Sequence, residues 1–288
     1  MGSIRILTDS TAQFTLPTFA GRGLVRVIPF DILFRGTLYE GGRNLKPSDL
    51  PVSTKSGEFP EIKVPSFEQL CEYFSYDEYG QTYDEVLGIF SSSAINHFFE
   101  NAAEAQKQVN GRIRLQIVDS QTTSVGLGML IQAAAEAVSK GANLAETERV
   151  VRSMIPHIYA VVCTPGLTYL SLSGFLDRAQ AMVGEMLGLF PLFTIEEGHL
   201  SPLEKVRNHR QVIDFFQEFL EEFDQLQSVA FVQCAIGCNA QDGRILRERS
   251  QDQFIHTSFS EHTINLPVAS ILGPNALGLY VVETYENS

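Results

Sequence analysis

The chain has few of the features that mark disulfide-rich or membrane-spanning proteins. Its 288 residues include no tryptophan and only four cysteines, and no two cysteines form a CxxC pair. The longest apolar stretch, near Met186–Ile195, is too short to cross a bilayer and contains Pro191. We therefore expect no metal site and no integral membrane protein. The low cysteine content is typical of a reducing cytoplasm.

Positive charge is also scarce. The chain has 21 basic and 34 acidic residues, so its formal net charge is −13. Such a chain is repelled by nucleic acid backbones, and nucleic acid is therefore not an expected partner. A hydrophobic content of 44% and a length of 288 residues predict a globular protein of one large or two ordinary domains.

The first half of the sequence alternates between strand and helix patterns. Apolar strand candidates are separated by helical segments such as Gly128–Lys140, which ends at Gly141. This alternation predicts a parallel sheet covered by helices. The strand candidates are Ile4–Leu7, Leu24–Leu33, Val86–Phe90 and Ile113–Val118.

The second half has a different pattern. Leu189–Ile195 and His199–Pro202 resemble the two strands of a hairpin, with Gly198 in the turn. Further strand candidates follow without regular helices between them: Ser228–Ile236, Gln253–Phe259 and Leu279–Thr284. We therefore predict an α/β protein of two domains. Residues 1–160 form the N-terminal parallel-sheet domain, and residues 161–288 form a domain with a largely antiparallel sheet packed by helices.

Hydroxyl-bearing residues follow the predicted parallel strands. The three groups are Ser10 and Thr11 after Asp9, Ser91–Ser93, and Ser120 with Thr122–Ser124 after Asp119. In parallel sheets, ligands bind beyond the carboxyl ends of the strands, and hydroxyls beside a helix N-terminus suit an anion such as a carboxylate. Ordinary capping of helices by serine and threonine explains each group singly. The excess of serines at 91–93 favours a ligand in addition to a cap.

A catalytic role for these serines is the alternative. The sequence has no G-x-S-x-G elbow and no HExxH or HxH spacing among its six histidines. Folding can still bring a histidine to a serine at the sheet edge. A serine-dependent lipid hydrolase or acyltransferase therefore stays open.

Seven segments of the chain together resemble the DegV family of bacterial lipid-binding proteins. They occur in the family's order and extend over nearly the whole sequence. The segments are ILTDSTAQF, VIPFDILFRGTLYEGG, FSSSAINHFFENA, IVDSQTTSVGLGMLI, LTYLS, LGLFPLFTIEEGHLSPLEKVRNHRQ and GPNALGLYVVE.

The resemblance implies a protein that binds a long-chain fatty acid and is not itself an enzyme. The fatty acid would lie buried between the two domains as the bound ligand, with no cofactor. Its carboxylate would lie near a serine pair that corresponds to Ser92 and Ser93. Some family members present the fatty acid to a partner kinase that makes the acyl phosphate, so a kinase is an expected partner.

The sequence departs from the family pattern around the expected head group. Ile62 stands where the family has a threonine, and Ile271 stands where it has a histidine. Two positive charges of the family are missing at Leu172–Phe175, whereas Arg207 is kept. A further hypothesis, motivated by Ile62 and Ile271, is a lipid with a neutral or differently charged head group. The expected head-group residues are Ser92, Ser93, Ile62, Ser124, Arg207 and Ile271.

Overall fold

The structure, a computed structural model, describes residues 4–52, 58–77, 79–254 and 256–284. Its strands and helices are numbered in chain order. The strands are β1 (Ile4–Asp9), β2 (Val25–Ile28), β3 (Asp31–Phe34), β4 (Thr37–Tyr39), β5 (Glu61–Lys63), β6 (Glu85–Phe90), β7 (Arg114–Asp119), β8 (Ile158–Cys163), β9 (Phe190–Glu196), β10 (His199–Val206), β11 (Leu226–Gln233), β12 (Ser258–Thr263) and β13 (Leu277–Glu283). The helices are α1 (Phe67–Ser75), α2 (Phe98–Val109), α3 (Ser124–Ser139), α4 (Leu144–Met154), α5 (Thr168–Leu172), α6 (Arg178–Met186), α7 (His209–Glu221), α8 (Ala240–Gln253) and α9 (Leu266–Leu272).

The first half forms the parallel sheet that the alternating pattern predicts. Its strand order is β2-β1-β6-β7, and every pairing in it is parallel. The chain leaves β1 for β2 on one side and later returns to β6 on the other. The carboxyl ends of β1 and β6 therefore form a topological switch point, where parallel sheets bind ligands.

The segment Leu24–Leu33 is two strands, not the single strand predicted. Pro29 follows β2 and lacks the N–H that a continuing ladder needs. The chain then turns into β3, which belongs to a separate small antiparallel sheet of order β4-β3-β5. In this sheet Ile62 on β5 pairs with Ile32 on β3.

The second half contains a mixed sheet of order β10-β9-β8-β13-β11-β12. The pairings are antiparallel except for β11 with β12, so the prediction of a largely antiparallel sheet is confirmed. The hairpin at Gly198 is present between β9 and β10. The proposed boundary near residue 160 falls within β8, where the chain enters this sheet, and it stays a prediction.

The expectation that no regular helices separate the last strands is wrong. Helix α8 connects β11 to β12, and a parallel pair requires such a crossover. Its buried face consists of Asp242, Gly243, Leu246 and Ser250, so the sequence carries no apolar stripe of helical period. Helix α9 lies between β12 and β13 and is too short to show a period.

The elements stack in five layers around three apolar cores. Helices α1 and α2 cover one face of the parallel sheet, and α7 and α8 cover the outer face of the mixed sheet. Between the sheets lie α3 and α4, and α3 contacts strands of both. Among the described residues, no helix is long and apolar enough to span a membrane.

Glycine allows α3 to approach the chain that follows β1. A Cβ atom on Gly128 would lie 1.8 Å from the carbonyl oxygen of Gln13, which no side chain tolerates. Gly128 is therefore required for the packing of this helix.

We predict that Gly128→Ala lowers the free energy of unfolding by about 2–3 kcal/mol, because the overpacking outweighs the better helix propensity of alanine. Urea denaturation measures the change. Gly23→Ala is the matched control, because its Cβ would meet no atom within 4 Å, and we expect it to change stability by less than about 0.5 kcal/mol. Equal stability of the two variants would contradict the close packing of α3.

Candidate functional site

The carboxyl ends of β1 and β6 are tied together by the side chain of Asp9. Its carboxylate accepts hydrogen bonds from Ser91 N at 2.7 Å, Thr11 N at 2.9 Å and Thr11 Oγ1 at 2.6 Å. Asp9 is fully buried, and this burial raises the pKa of its carboxyl group against the opposing effect of the hydrogen bonds. The loop that follows β6 is thereby fixed at its first residue.

The three serines of this loop do not stand at a helix N-terminus, which corrects the sequence prediction. Helix α2 begins at Phe98, and its backbone N–H donates to Asn96 Oδ1 at 2.9 Å. The same amide donates from Nδ2 to Ser91 Oγ at 2.7 Å. Residues 92–96 form a turn that begins with Ser92 and Ser93 and ends before the helix, so Asn96 takes the capping role and Ser91 orients it.

Ser92 holds the tip of the β9–β10 hairpin. Its hydroxyl donates to the carbonyl oxygen of Gly198 at 2.8 Å and accepts from Ala94 N at 3.2 Å. Gly198 has a φ of +84°, and a Cβ there would lie 2.4 Å from Ser92 Oγ. Glycine is therefore required at the hairpin tip both for its backbone angle and for the contact with Ser92.

Ser93 has a different environment from its neighbour. Its side chain is half-buried, and its backbone N–H faces the Asp119 carboxylate at 3.3 Å. Within the part of the chain that the structure describes, the Ser93 hydroxyl makes no hydrogen bond to protein. It lies instead in the wall of a cleft.

The cleft has a volume of about 460 Å³, which is within the range of small-molecule sites. One wall comes from β5 and the loop after β6, and the opposite wall comes from α5, the turn after it and α9. The mouth is open, since Leu172 at the rim is 60% exposed. The larger apolar side chains of its lining are Ile62, Val64, Ile95, Tyr169, Leu172, Phe175 and Ile271.

Most polar side chains of the cleft are already satisfied by protein. Tyr169 donates its hydroxyl to Pro51 O at 2.8 Å, and burial raises the pKa of that phenol. Ser270 Oγ donates to Leu266 O at 2.9 Å, and Ser173 Oγ donates to Ile271 O at 3.4 Å. Of these four hydroxyl groups, only that of Ser93 has no hydrogen bond within the described part of the chain. It is therefore available to a ligand.

Three of the six residues expected at the head group meet in this cleft. Ile62, Ser93 and Ile271 line it, although they are far apart in sequence. Ile95, Tyr169 and Phe175 are further lining residues, and the sequence analysis did not single them out as site residues. The motif LTYLS contains Tyr169 and is the sequence feature that could have indicated this residue as part of the site.

The other three expected residues lie outside the cleft lining. Ser92 holds the hairpin, as described above. Ser124 is buried at the start of α3, where its hydroxyl donates to Gln13 Oε1 at 2.9 Å. Arg207 is exposed in the turn after β10, with its backbone N–H donating to Gln211 Oε1 at 2.8 Å.

The geometry that a serine hydrolase needs is not found at these serines. His97 at the cleft mouth faces Glu100 at 3.4 Å, and His199 near the hairpin tip contacts Glu197 O at 3.2 Å. In the described segments, neither the Ser92 nor the Ser93 hydroxyl is hydrogen-bonded to a histidine. The same residues contain no group of three or more His, Cys, Asp or Glu placed to hold a metal ion.

Comparison with known proteins identifies relatives along the whole chain. A DegV domain-containing protein of Caldanaerobacter subterraneus subsp. tengcongensis is 26% identical over 289 residues, covering 98% of this chain and 100% of the relative. Among solved structures, one concerns the fatty acid binding of a DegV family protein from Thermus thermophilus. It matches this chain with a TM-score of 0.80 at 23% identity, and the match covers 99% of this chain and 100% of that one. The Streptococcus pneumoniae fatty acid kinase (Fak) B3 protein, solved with linoleic acid, has a TM-score of 0.84 at 14% identity, with coverage of 98% and 100%.

The predicted fold and family are thus confirmed. The family model, whose description is "uncharacterised protein, DegV family", matches residues 3–284. This chain belongs to the DegV family.

Proposed function

We propose that this protein binds a long-chain fatty acid or a related lipid in the cleft between β5, α5 and α9, without catalysing a reaction on it. The observation that carries the proposal is the cleft itself, a mostly apolar space of about 460 Å³ with the Ser93 hydroxyl in its wall. The wall residues come from both sides of residue 160. The ligand would therefore lie where the two predicted domains meet.

The energetics of an acyl ligand match this lining. Each methylene group moved from water to an apolar site contributes roughly 0.8 kcal/mol, so a long chain contributes about 10 kcal/mol before ordering costs. One hydrogen bond to Ser93 contributes about 1 kcal/mol. The tail would therefore determine affinity, and the hydroxyl would determine which end of the ligand lies at the loop after β6.

The relatives support this proposal through what they bind. The solved structure of the Thermus thermophilus protein concerns its fatty acid binding, and the Streptococcus pneumoniae protein was solved with linoleic acid. The four cysteines of this chain are free, as expected for a protein of the reducing cytoplasm, where we place it. Delivery of a bound acid to a kinase that forms its acyl phosphate is a finer proposal, suggested by the kinase name of the Streptococcus pneumoniae protein, and it requires a carboxylate head group.

We predict that an acyl lipid accompanies the full-length protein through purification. Native mass spectrometry, followed by solvent extraction and lipid analysis, would show one bound molecule per chain. After delipidation, titration with linoleic acid and with its uncharged derivatives would restore binding. Absence of any co-purifying acyl lipid together with no binding in these titrations would contradict the proposed function.

We expect Ser93→Ala to weaken acyl ligand binding by about three- to tenfold without abolishing it, because one hydrogen bond is lost while the tail contacts remain. Ser92→Ala is the matched control in the adjacent residue. Loss of its bond to buried Gly198 should lower the free energy of unfolding by about 1–2 kcal/mol and change ligand affinity by less than about twofold. The reverse pattern, with affinity lost in Ser92→Ala and kept in Ser93→Ala, would place the ligand elsewhere.

The hydrolase alternative makes an opposite prediction about reactivity. Treatment of the delipidated protein with a serine-reactive fluorophosphonate should leave Ser92 and Ser93 unlabelled, since neither hydroxyl is hydrogen-bonded to a histidine among the described residues. Peptide mass spectrometry locates any adduct. Stoichiometric labelling of either serine would favour an enzyme over a carrier.

A further inference from the structure

Two cysteines lie in one short loop of the mixed sheet, outside the cleft. Cys234 directly follows β11, and Cys238 precedes Asn239, the residue that caps α8. Three residues separate the two cysteines in the chain, and neither cysteine lines the cleft. The pair is therefore separate from the proposed lipid site.

The loop folds back on itself between the two cysteines. A fully extended segment of this length would separate their Cα atoms by about 13 Å, whereas a disulfide spans about 4.4–6.8 Å. The backbone bends at each of residues 235–237, and Gly237 has a φ of +74°, in the left-handed region that glycine permits. These bends bring the two ends of the segment toward each other.

Hydrogen bonds anchor the loop at both ends. At one end Ala235 donates its backbone N–H to Pro274 O at 2.7 Å. At the other end Asn239 donates from Nδ2 to Asp242 Oδ1 at 3.1 Å, and the second oxygen of that carboxylate contacts His209 Nε2 at 2.5 Å. The second contact joins the start of α7 to the first turn of α8. The cysteines are therefore held in a defined loop.

The two thiols differ in exposure and lie close enough to affect each other. Cys234 is 5% exposed and belongs to the apolar core beneath α7 and α8, whereas Cys238 is exposed. Burial raises the pKa of the Cys234 thiol, and the nearby Cys238 thiol adds to this rise. The backbone N–H of Ile236 faces the Cys234 sulfur and opposes the rise, which places that sulfur inside the loop.

The other two cysteines are not placed to pair with Cys234. Cys163 ends β8, and β13 lies between β8 and β11 in the mixed sheet. Adjacent strands are about 4.8 Å apart, so the Cα atoms of Cys163 and Cys234 are about 10 Å apart, beyond the span of a disulfide. Cys71 lies on α1, which covers the parallel sheet. Cys238 is therefore the partner available to Cys234.

We propose that Cys234 and Cys238 form a reversible disulfide when the protein meets hydrogen peroxide, which makes this loop a redox modification site. Transient disulfides of this kind are the ones found in a reducing cytoplasm. A reductant such as dithiothreitol would restore both thiols by exchange.

The exposed thiol reacts first. The Cys238 sulfur attacks one oxygen of the peroxide, the O–O bond breaks, and the departing hydroxide takes the thiol proton to form water, which leaves a sulfenic acid. The Cys234 sulfur then attacks the Cys238 sulfur, and the S–O bond breaks as the S–S bond forms. The departing hydroxide takes the Cys234 proton as a second water. Two thiols are thus oxidised and one peroxide is reduced.

The test treats reduced full-length protein with hydrogen peroxide, blocks the remaining thiols with N-ethylmaleimide in denaturant, and maps the tryptic peptides by mass spectrometry. Trypsin releases both cysteines in the peptide of residues 211–244, because no lysine or arginine lies between Arg210 and Arg244. We expect this peptide to lose the mass of two hydrogen atoms, to carry no maleimide and to recover both thiols in dithiothreitol. Sulfinic acid at Cys238 beside a maleimide-labelled Cys234 would overturn the proposal.

Variants of the two cysteines separate their roles. Cys234→Ala removes the second thiol, so Cys238 should accumulate at least about fivefold more sulfinic acid than in the unchanged protein at the same peroxide dose. Cys238→Ser changes an exposed residue, keeps the fold, and should leave Cys234 reduced, because a buried thiol is shielded from the oxidant. Cys71→Ser is the matched control and should form the loop disulfide as before. Equal sulfinic acid at Cys238 with and without Cys234, or an oxidised Cys234 in Cys238→Ser, would contradict the pairing.

Discussion

The buried carboxylate of Asp9 is the interaction on which the candidate site depends. It lies at the end of β1 and accepts the N–H of Ser91 at the end of β6, so it joins two strands whose following loops diverge. Removing an anion from water is costly, and three short hydrogen bonds offset that cost here. Because the loop after β6 begins at this fixed point, the orientation of the next two serines is set as well.

Each of the three consecutive serines has a different task. Ser91 orients the asparagine that caps α2, Ser92 holds the hairpin tip of the mixed sheet, and Ser93 faces the cleft. A tight turn rotates successive side chains into different directions, so neighbouring residues reach different partners. Two of the hydroxyls therefore stabilise the protein, and one is left for a ligand.

The cleft combines a mostly apolar lining with a smaller number of polar side chains. Its walls come from an edge strand of the small sheet, a loop of the parallel sheet and two helices of the second half. In such a cleft the tail contributes most of the binding free energy. The preferred head group is the one that loses the least hydrogen-bonding free energy when it leaves water.

The sequence by itself determined the layered α/β architecture, because alternation of strand and helix patterns and the glycine turn at 198 are local signals. It also determined the family, through motifs in a fixed order. It did not reveal α8, whose buried face is built from Asp242, Gly243 and Ser250 as much as from Leu246.

Only the tertiary structure distinguished Ser92 from Ser93. The partner of Ser92 is Gly198, 106 residues away, and that contact exists only after the hairpin has folded over the sheet edge. In the same way, Ile62 and Ile271 become neighbours of Ser93 through packing, whereas Ser124 and Arg207 do not. Local sequence sets backbone conformation, but the direction and partners of a polar side chain follow from surfaces that meet only in the tertiary structure.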